Sequence, residues 1–197
     1  SSCAQYRQNV ADARQALRRR GGQDIQVVYA AGWHDHPGFV AANAGRVEAA
    51  RHRLPAAVRG AARAVFTAHS IPMRMAAESR YAEEIRDSAR LVAEAAGVSD
   101  WAVAFQSRSG RPQDPWLGPD IGDYLRAERS RGLRAVVICP LGFVADHIEV
   151  LYDLDIEAAT LCAELDLPMA RAAAVNDDPA FIDMMADVVR RAVAQAE

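Results

Sequence analysis

The sequence predicts an α/β fold built on a parallel sheet, and two observations carry the prediction. Short β-branched runs such as Ala64-Val65-Phe66-Thr67-Ala68 and Ala135-Val136-Val137-Ile138-Cys139 alternate with amphipathic stretches of ten or more residues. That is the rhythm of βαβ units, whose crossovers lay strands side by side in one direction. The stretches richest in chemistry also fall just after strands, at His69, at Gln106-Ser107-Arg108 and at residues 140–149, where parallel sheets bind their ligands.

The elements follow in order. Residues 5–20 read as a helix, with Tyr6, Val10, Ala13 and Leu17 on one side and Gly21-Gly22 as the stop. Residues 25–29 read as a short strand and 39–53 as a helix ended by Leu54-Pro55. The strand 64–68 runs directly into His69-Ser70-Ile71-Pro72. A single helix is expected over 76–96, with Ile85, Ala89, Val92 and Ala96 on its apolar side and Gly97 after it. Strand 101–105 leads into a loop of Gly and Pro through Pro119, and helix 120–130, strand 134–139, helix 146–165, strand 168–173 and helix 179–195 complete the alternation.

At 197 residues, the chain holds one full α/β domain, or one domain and a piece of another. A net charge of −3 argues against a nucleic-acid partner, because neutralising phosphates takes clustered base. All 23 basic residues are arginine, a composition bias. No apolar run approaches the roughly 20 residues of a membrane span, so the expected location is the cytoplasm and the expected state a soluble monomer. Cys3, Cys139 and Cys162 are too few and too scattered for a disulfide framework.

The most informative stretch runs from Pro140 to Glu157. Glu149, Asp153 and Glu157 stand four residues apart in the expected helix, so their carboxylates stack on one face and repel unless a cation sits among them. Asp146 is expected to cap that helix. His69, past its strand, would share a cavity with Glu149 if neighbouring strand ends bring the loops together. An imidazole and a carboxylate so placed suit a borderline metal such as Fe2+ and equally suit proton transfer near neutral pH. His147 points elsewhere if the helix has begun, where it could orient its neighbours. Ser70 lacks the Gly-x-Ser-x-Gly elbow of a hydrolase nucleophile. His34, Asp35 and His36 read as a turn and helix cap, and Cys139 and Cys162 as buried apolar residues.

Three motifs in order, Phe66-Thr67-Ala68-His69-Ser70-Ile71-Pro72, Phe105-Gln106-Ser107-Arg108-Ser109-Gly110 with Pro115-Trp116-Leu117-Gly118-Pro119, and Pro140-Leu141-Gly142-Phe143-Val144-Ala145-Asp146-His147-Ile148-Glu149, resemble those of ferrochelatase, most closely the bacterial coproporphyrin III type. The resemblance implies two similar chelatase-like domains, each a four-stranded parallel sheet flanked by helices, with porphyrin held between them. This chain resembles the C-terminal portion. Residues 1–54 would then be the end of the N-terminal domain and a connecting helix, 55–175 the C-terminal domain, and 176–197 a helix packing back on the first domain.

By the same resemblance the activity is insertion of ferrous iron, itself a substrate, into a porphyrin during heme biosynthesis. His69 and Glu149 would be the catalytic pair, and His69, Glu149, Asp153 and Glu157 the metal-handling groups. Trp116, Phe143, Gln106, Ser107 and Arg108 would bind porphyrin, with Arg108 offering the fork that carboxylates prefer. Residues 1–7 resemble a segment that supplies one cysteine of a [2Fe-2S] cluster in certain bacterial members. Cys3 is thus a possible ligand, but only if a Cys-rich C-terminal tail provides the other three. A chelatase for another tetrapyrrole or metal, or a non-catalytic porphyrin or metal carrier, is the alternative reading.

Overall fold

The structure, a computed structural model, describes residues 2–30, 32–111 and 113–196, with the side chains of residues 2–4 outside that description. Strands β1 (Ala62–His69), β2 (Trp101–Gln106), β3 (Ala135–Cys139) and β4 (Met169–Arg171) form one parallel sheet in the order β2-β1-β3-β4. This is the four-stranded α/β sheet expected from the resemblance. β1 and β3 are central, and every residue of β3 is buried, which is why these strands read as unbroken apolar runs rather than alternating ones. Val65, Val136 and Ile138 join Leu125, Val150, Leu154 and Leu161 in the core on one side.

Residues 25–29 are not a strand: no regular element forms between Gly22 and Ala30. A β-branched run becomes a strand only where a neighbouring ladder satisfies its backbone. Here the segment instead follows α1 (Ser2–Arg19), whose Arg14 and Arg18 hold Asp24 at 3.0 and 2.5 Å and whose Arg7 lies over the Tyr29 ring. Contacts divide the chain into residues 1–31 with 188–197, and residues 32–187. Within the larger unit α2 (Pro37–Arg53) buries Phe39, Ala42, Val47 and Ala50. The turn before α2 is a cap, as expected: His36 Nδ1 accepts from the Gly38 N–H at 3.0 Å.

The expected helix over 76–96 is two, α4 (Met73–Ala77) and α5 (Tyr81–Ala95). Between them the Ser79 hydroxyl donates back to the Met75 carbonyl at 2.9 Å, a local bond that competes with helix propagation. The helix expected over 146–165 is also divided, into α7 (Ile148–Val150), a π-helical segment (Leu151–Ala158) and α8 (Ala159–Glu164). Widened i→i+5 turns of this kind recur at functional sites. The remaining helices are α3 (Ala56–Arg59), α6 (Ile121–Ser130), whose Asp120 cap accepts from Gly122 N–H at 2.8 Å, and α9 (Pro179–Ala194).

After β3 the chain turns tightly at Gly142, whose N–H donates to the Thr67 carbonyl at 2.9 Å. A β-carbon at 142 would lie 2.5 Å from the Ala68 side chain and 2.8 Å from its α-carbon. Neither neighbour can move, because Ala68 sits inside the paired β1. Gly142→Ala is therefore expected to cost about 1–3 kcal/mol by overpacking, read as a lowered denaturant midpoint with unchanged m-value.

Candidate functional site

β1 ends at His69, which pairs with Gln106 of β2. His69 Nδ1 lies 2.5 Å from the Ser70 carbonyl oxygen. A carbonyl only accepts, so Nδ1 carries the proton, and the lone pair of the neutral ring resides on Nε2. Ser70 is buried, its N–H donating to the Gln106 carbonyl at 2.8 Å and its hydroxyl to the Leu117 carbonyl at 2.7 Å. A hydroxyl spent on a strap is not a nucleophile. The strap fastens the loop of Trp116 against the His69 turn, aided by Leu117 N–H to Ile71 O at 2.9 Å and Met73 N–H to Pro115 O at 2.9 Å. Trp116 lies half-buried against Gly110, whose φ of 105° admits the close approach of the indole.

Asp146 is not a helix cap. His147 holds the N-cap position of α7, with no capping side chain. The Asp146 carboxylate instead accepts from Arg171 Nη1 at 2.8 Å, Asn176 Nδ2 at 2.9 Å and Ala174 N–H at 3.2 Å, while Asn176 Oδ1 accepts from the Asp146 N–H at 2.9 Å. These bonds dock the loop after β3 onto the loop after β4. Burial alone would raise the Asp146 pKa, but the hydrogen bonds from Asn176 and Ala174 and the Arg171 charge outweigh it and hold the carboxyl below its usual range. Within the docked loop Phe143 is buried, its ring 6.4 Å from His69 and 5.3 Å, edge on, from His147. His147 Nδ1 in turn lies 4.0 Å from Glu149. His69 and Glu149 are thus related through Phe143 and His147, with no hydrogen bond between them among the described residues.

A cavity of about 350 Å³ opens beside this turn, between the loop after β2, the start of α6 and the π-helical segment. It is lined by Gln106, Ser107, Arg108, Arg126, Asp153 and Glu157, with Asp120 and Leu161 among the others. An i→i+5 ladder takes between four and five residues per turn, so residues four apart, such as Asp153 and Glu157, stay close to one line. Asp153 Oδ2 accepts from Gln106 Nε2 at 3.2 Å and from the Ser107 hydroxyl. Ser107 makes that bond from a left-handed backbone with φ of 58°, costing about 1 kcal/mol or more in a non-glycine residue. Arg108 and Arg126 line the same cavity as Asp153 and Glu157, Arg126 lying 3.7 Å from Asp123, and Arg171 takes the intervening Asp155 at 2.6 Å. The side-chain amide oxygen of Gln106, Oε1, is buried without a partner among the described residues, an acceptor whose demand is unmet.

The structure thus brings Gln106, Ser107, Arg108, Asp153 and Glu157 to one cavity, and leaves His69, Glu149, Trp116 and Phe143 outside its lining. No group of three or more His, Cys, Asp and Glu among the described residues is arranged to hold a metal ion. Cys139 and Cys162 do not suit an iron–sulfur cluster: both are buried, which pushes their thiols up to about 12 and about 11, away from the thiolate form. The side chain of Cys3 lies outside the described residues. Sequence reasoning missed the Asp146–Asn176–Arg171 staple, Arg126, and Tyr81, whose hydroxyl donates to the His69 carbonyl at 2.9 Å. These are long-range pairings with no local spacing signal, although an aspartate before a histidine already suspected of function was a cue.

A family model described as ferrochelatase matches residues 1–193. A coproporphyrin III ferrochelatase of Mycolicibacterium smegmatis is 46% identical over 192 residues, covering 96% of this chain and 56% of that protein. A ferrochelatase of Rhodopirellula baltica is 44% identical over 191 residues, covering 96% and 53%. The chain therefore spans about half the length of these curated relatives. Among solved structures, a sirohydrochlorin chelatase of Bacillus subtilis subspecies spizizenii in complex with cobalt aligns with a TM-score of 0.56 at 13% identity, covering 92% of this chain and 60% of that one. At that identity the likeness is one of fold. No helix among the described residues is long and apolar enough to cross a membrane.

The lowered pKa of Asp146 has a signed consequence for stability. A carboxyl depressed in the folded state stabilises it above the unfolded pKa of about 3.9, and that contribution is lost as pH falls through the folded value. Asp146→Asn is expected to lower stability at neutral pH and to remove part of its fall below about pH 4. Denaturant melts of both proteins across the acid range check this; parallel curves would refute it.

Proposed function

The chain belongs to the ferrochelatase family, since the family model covers nearly all of it, and from that membership we propose that the protein inserts ferrous iron into a porphyrin. Coproporphyrin III is the substrate we favour, because the 46% identical relative from Mycolicibacterium smegmatis carries that name. The observation that carries the chemistry is the 2.5 Å contact of His69 Nδ1 with the Ser70 carbonyl: it commits Nδ1–H, so Nε2 offers its lone pair to a proton or an ion.

The reaction exchanges two pyrrole N–H protons for one Fe2+, so the site must accept protons while admitting a cation. In this proposal His69 Nε2 accepts a pyrrole proton, and the resulting imidazolium gains from the nearby acidic groups. Glu149, beside His147, receives the proton onward or meets the incoming ion. Asp153 and Glu157 provide oxygen donors along the π-helical segment, a line of negative charge on which Fe2+ approaches. Arg108 pairs with a propionate, with Gln106 and Ser107 beside it, while Trp116 and Phe143 back the macrocycle. The proposal places the protein in the cytoplasm as a monomer.

The test is anaerobic Fe2+ insertion, followed by porphyrin absorbance, on the natural protein that carries this chain, with coproporphyrin III and protoporphyrin IX side by side. His69→Ala is expected to lower turnover by about 100-fold or more while porphyrin binding, read by fluorescence quenching, persists. Porphyrin bound without metal entry in the unaltered protein would replace this proposal with the carrier reading.

A further inference from the structure

We infer that Tyr81 is a positioning residue for His69: from the first turn of α5 its hydroxyl donates to the His69 carbonyl oxygen at 2.9 Å, and this bond sets the orientation in which the imidazole presents Nε2. The inference rests on the ferrochelatase reading for its consequence in turnover, not for its geometry.

The peptide joining His69 to Ser70 is held on both of its polar groups. Its carbonyl accepts from Tyr81, and its N–H donates to the Gln106 carbonyl at 2.8 Å. The next carbonyl, that of Ser70, accepts from His69 Nδ1. A rotation of the first peptide plane would carry the second carbonyl with it and release the proton that fixes the tautomer. Gln106 acts from within the sheet, where β1 and β2 are already paired. Tyr81 acts from a different element, so it is the contact that ties the His69 turn to α5.

The phenol is suited to this one task. α5 is anchored in the core by Ser88, Ala89, Val92 and Ala93, two turns and more beyond Tyr81, and the break at Ser79 places Tyr81 at its start. Burial pushes the Tyr81 hydroxyl up to about 12, so it remains a protonated donor across the working range. The His69 carbonyl is its one hydrogen-bond partner among the described residues. Phenylalanine would retain the ring packing and delete only this bond.

The experiment compares the natural protein with its Tyr81→Phe variant in two readouts. Imidazole nitrogen NMR, with His69 assigned by His69→Ala, reports the tautomer; anaerobic Fe2+ insertion reports kcat and KM for coproporphyrin. We expect the variant to lose the pure Nδ1–H signature and to show kcat lowered by about tenfold with KM within about twofold, as misorientation without lost binding requires. An unchanged His69 signature, or kcat and KM altered only in proportion to lost folded protein, overturns the inference. A changed tautomer in a protein that inserts no iron would uphold the positioning and sink the ferrochelatase reading alone. If Tyr81→Phe fails to fold, a ring-fluorinated tyrosine at 81 has a more acidic phenol in the same shape. The His69 signature must then change as that phenol ionises, and constancy through its titration overturns the inference.

Discussion

The pairing of β1 with strands on both sides is the constraint from which the site follows. β1 meets β2 from Ala64↔Trp101 to His69↔Gln106 and β3 from Ala62↔Ala135 to Phe66↔Cys139. A shift of one residue would turn every side chain to the opposite face, and with Val65, Phe66 and Ala68 wholly buried no such shift is tolerated. Register therefore decides which residues emerge together at the carboxyl ends. It places His69 beside Gln106, and it leaves the turn after Cys139 three residues short of His69, so that Gly142 can pass against Ala68.

Much of this was legible. The central strands carry their burial in their composition, and the rule that ligands sit beyond strand ends picks out the loops at 69, 106 and 140. What escaped has a common physical origin. Residues 25–29 have the composition of a strand, but strand formation depends on a partner that local sequence does not announce. Ser79 broke a helix through a side-chain bond that periodicity does not weigh. The π-helical segment keeps a four-residue acidic spacing that suits an α-helix about as well. Asp146 had two eligible roles, and only the distant Arg171 and Asn176 decided between them. At the site, the residue types were read from sequence and motif, whereas the separation of His69 and Glu149 by Phe143 and His147 required the fold.

The acids of the π-helical segment, Asp153, Asp155 and Glu157, show how repulsion is divided rather than cancelled. Asp153 is bound by neutral donors from Gln106 and Ser107, Asp155 by the Arg171 guanidinium, and Glu157 shares a cavity with Arg108 and Arg126. Asp153 and Asp155 thus have different partner chemistry although they stand on one segment. Neutral donors leave a carboxylate its charge, so Asp153 keeps an attraction for cations that Asp155, paired with arginine, has largely spent.

Ser107 adds an evolutionary tension to this arrangement. Its left-handed backbone is one that glycine occupies without strain and asparagine with little, so selection for thermal robustness alone would drift this position toward those residues. Neither reproduces a hydroxyl aimed at Asp153. A lineage that keeps serine here accepts a less robust loop to retain a polar contact, and a stabilised laboratory variant chosen by melting temperature would tend to discard it.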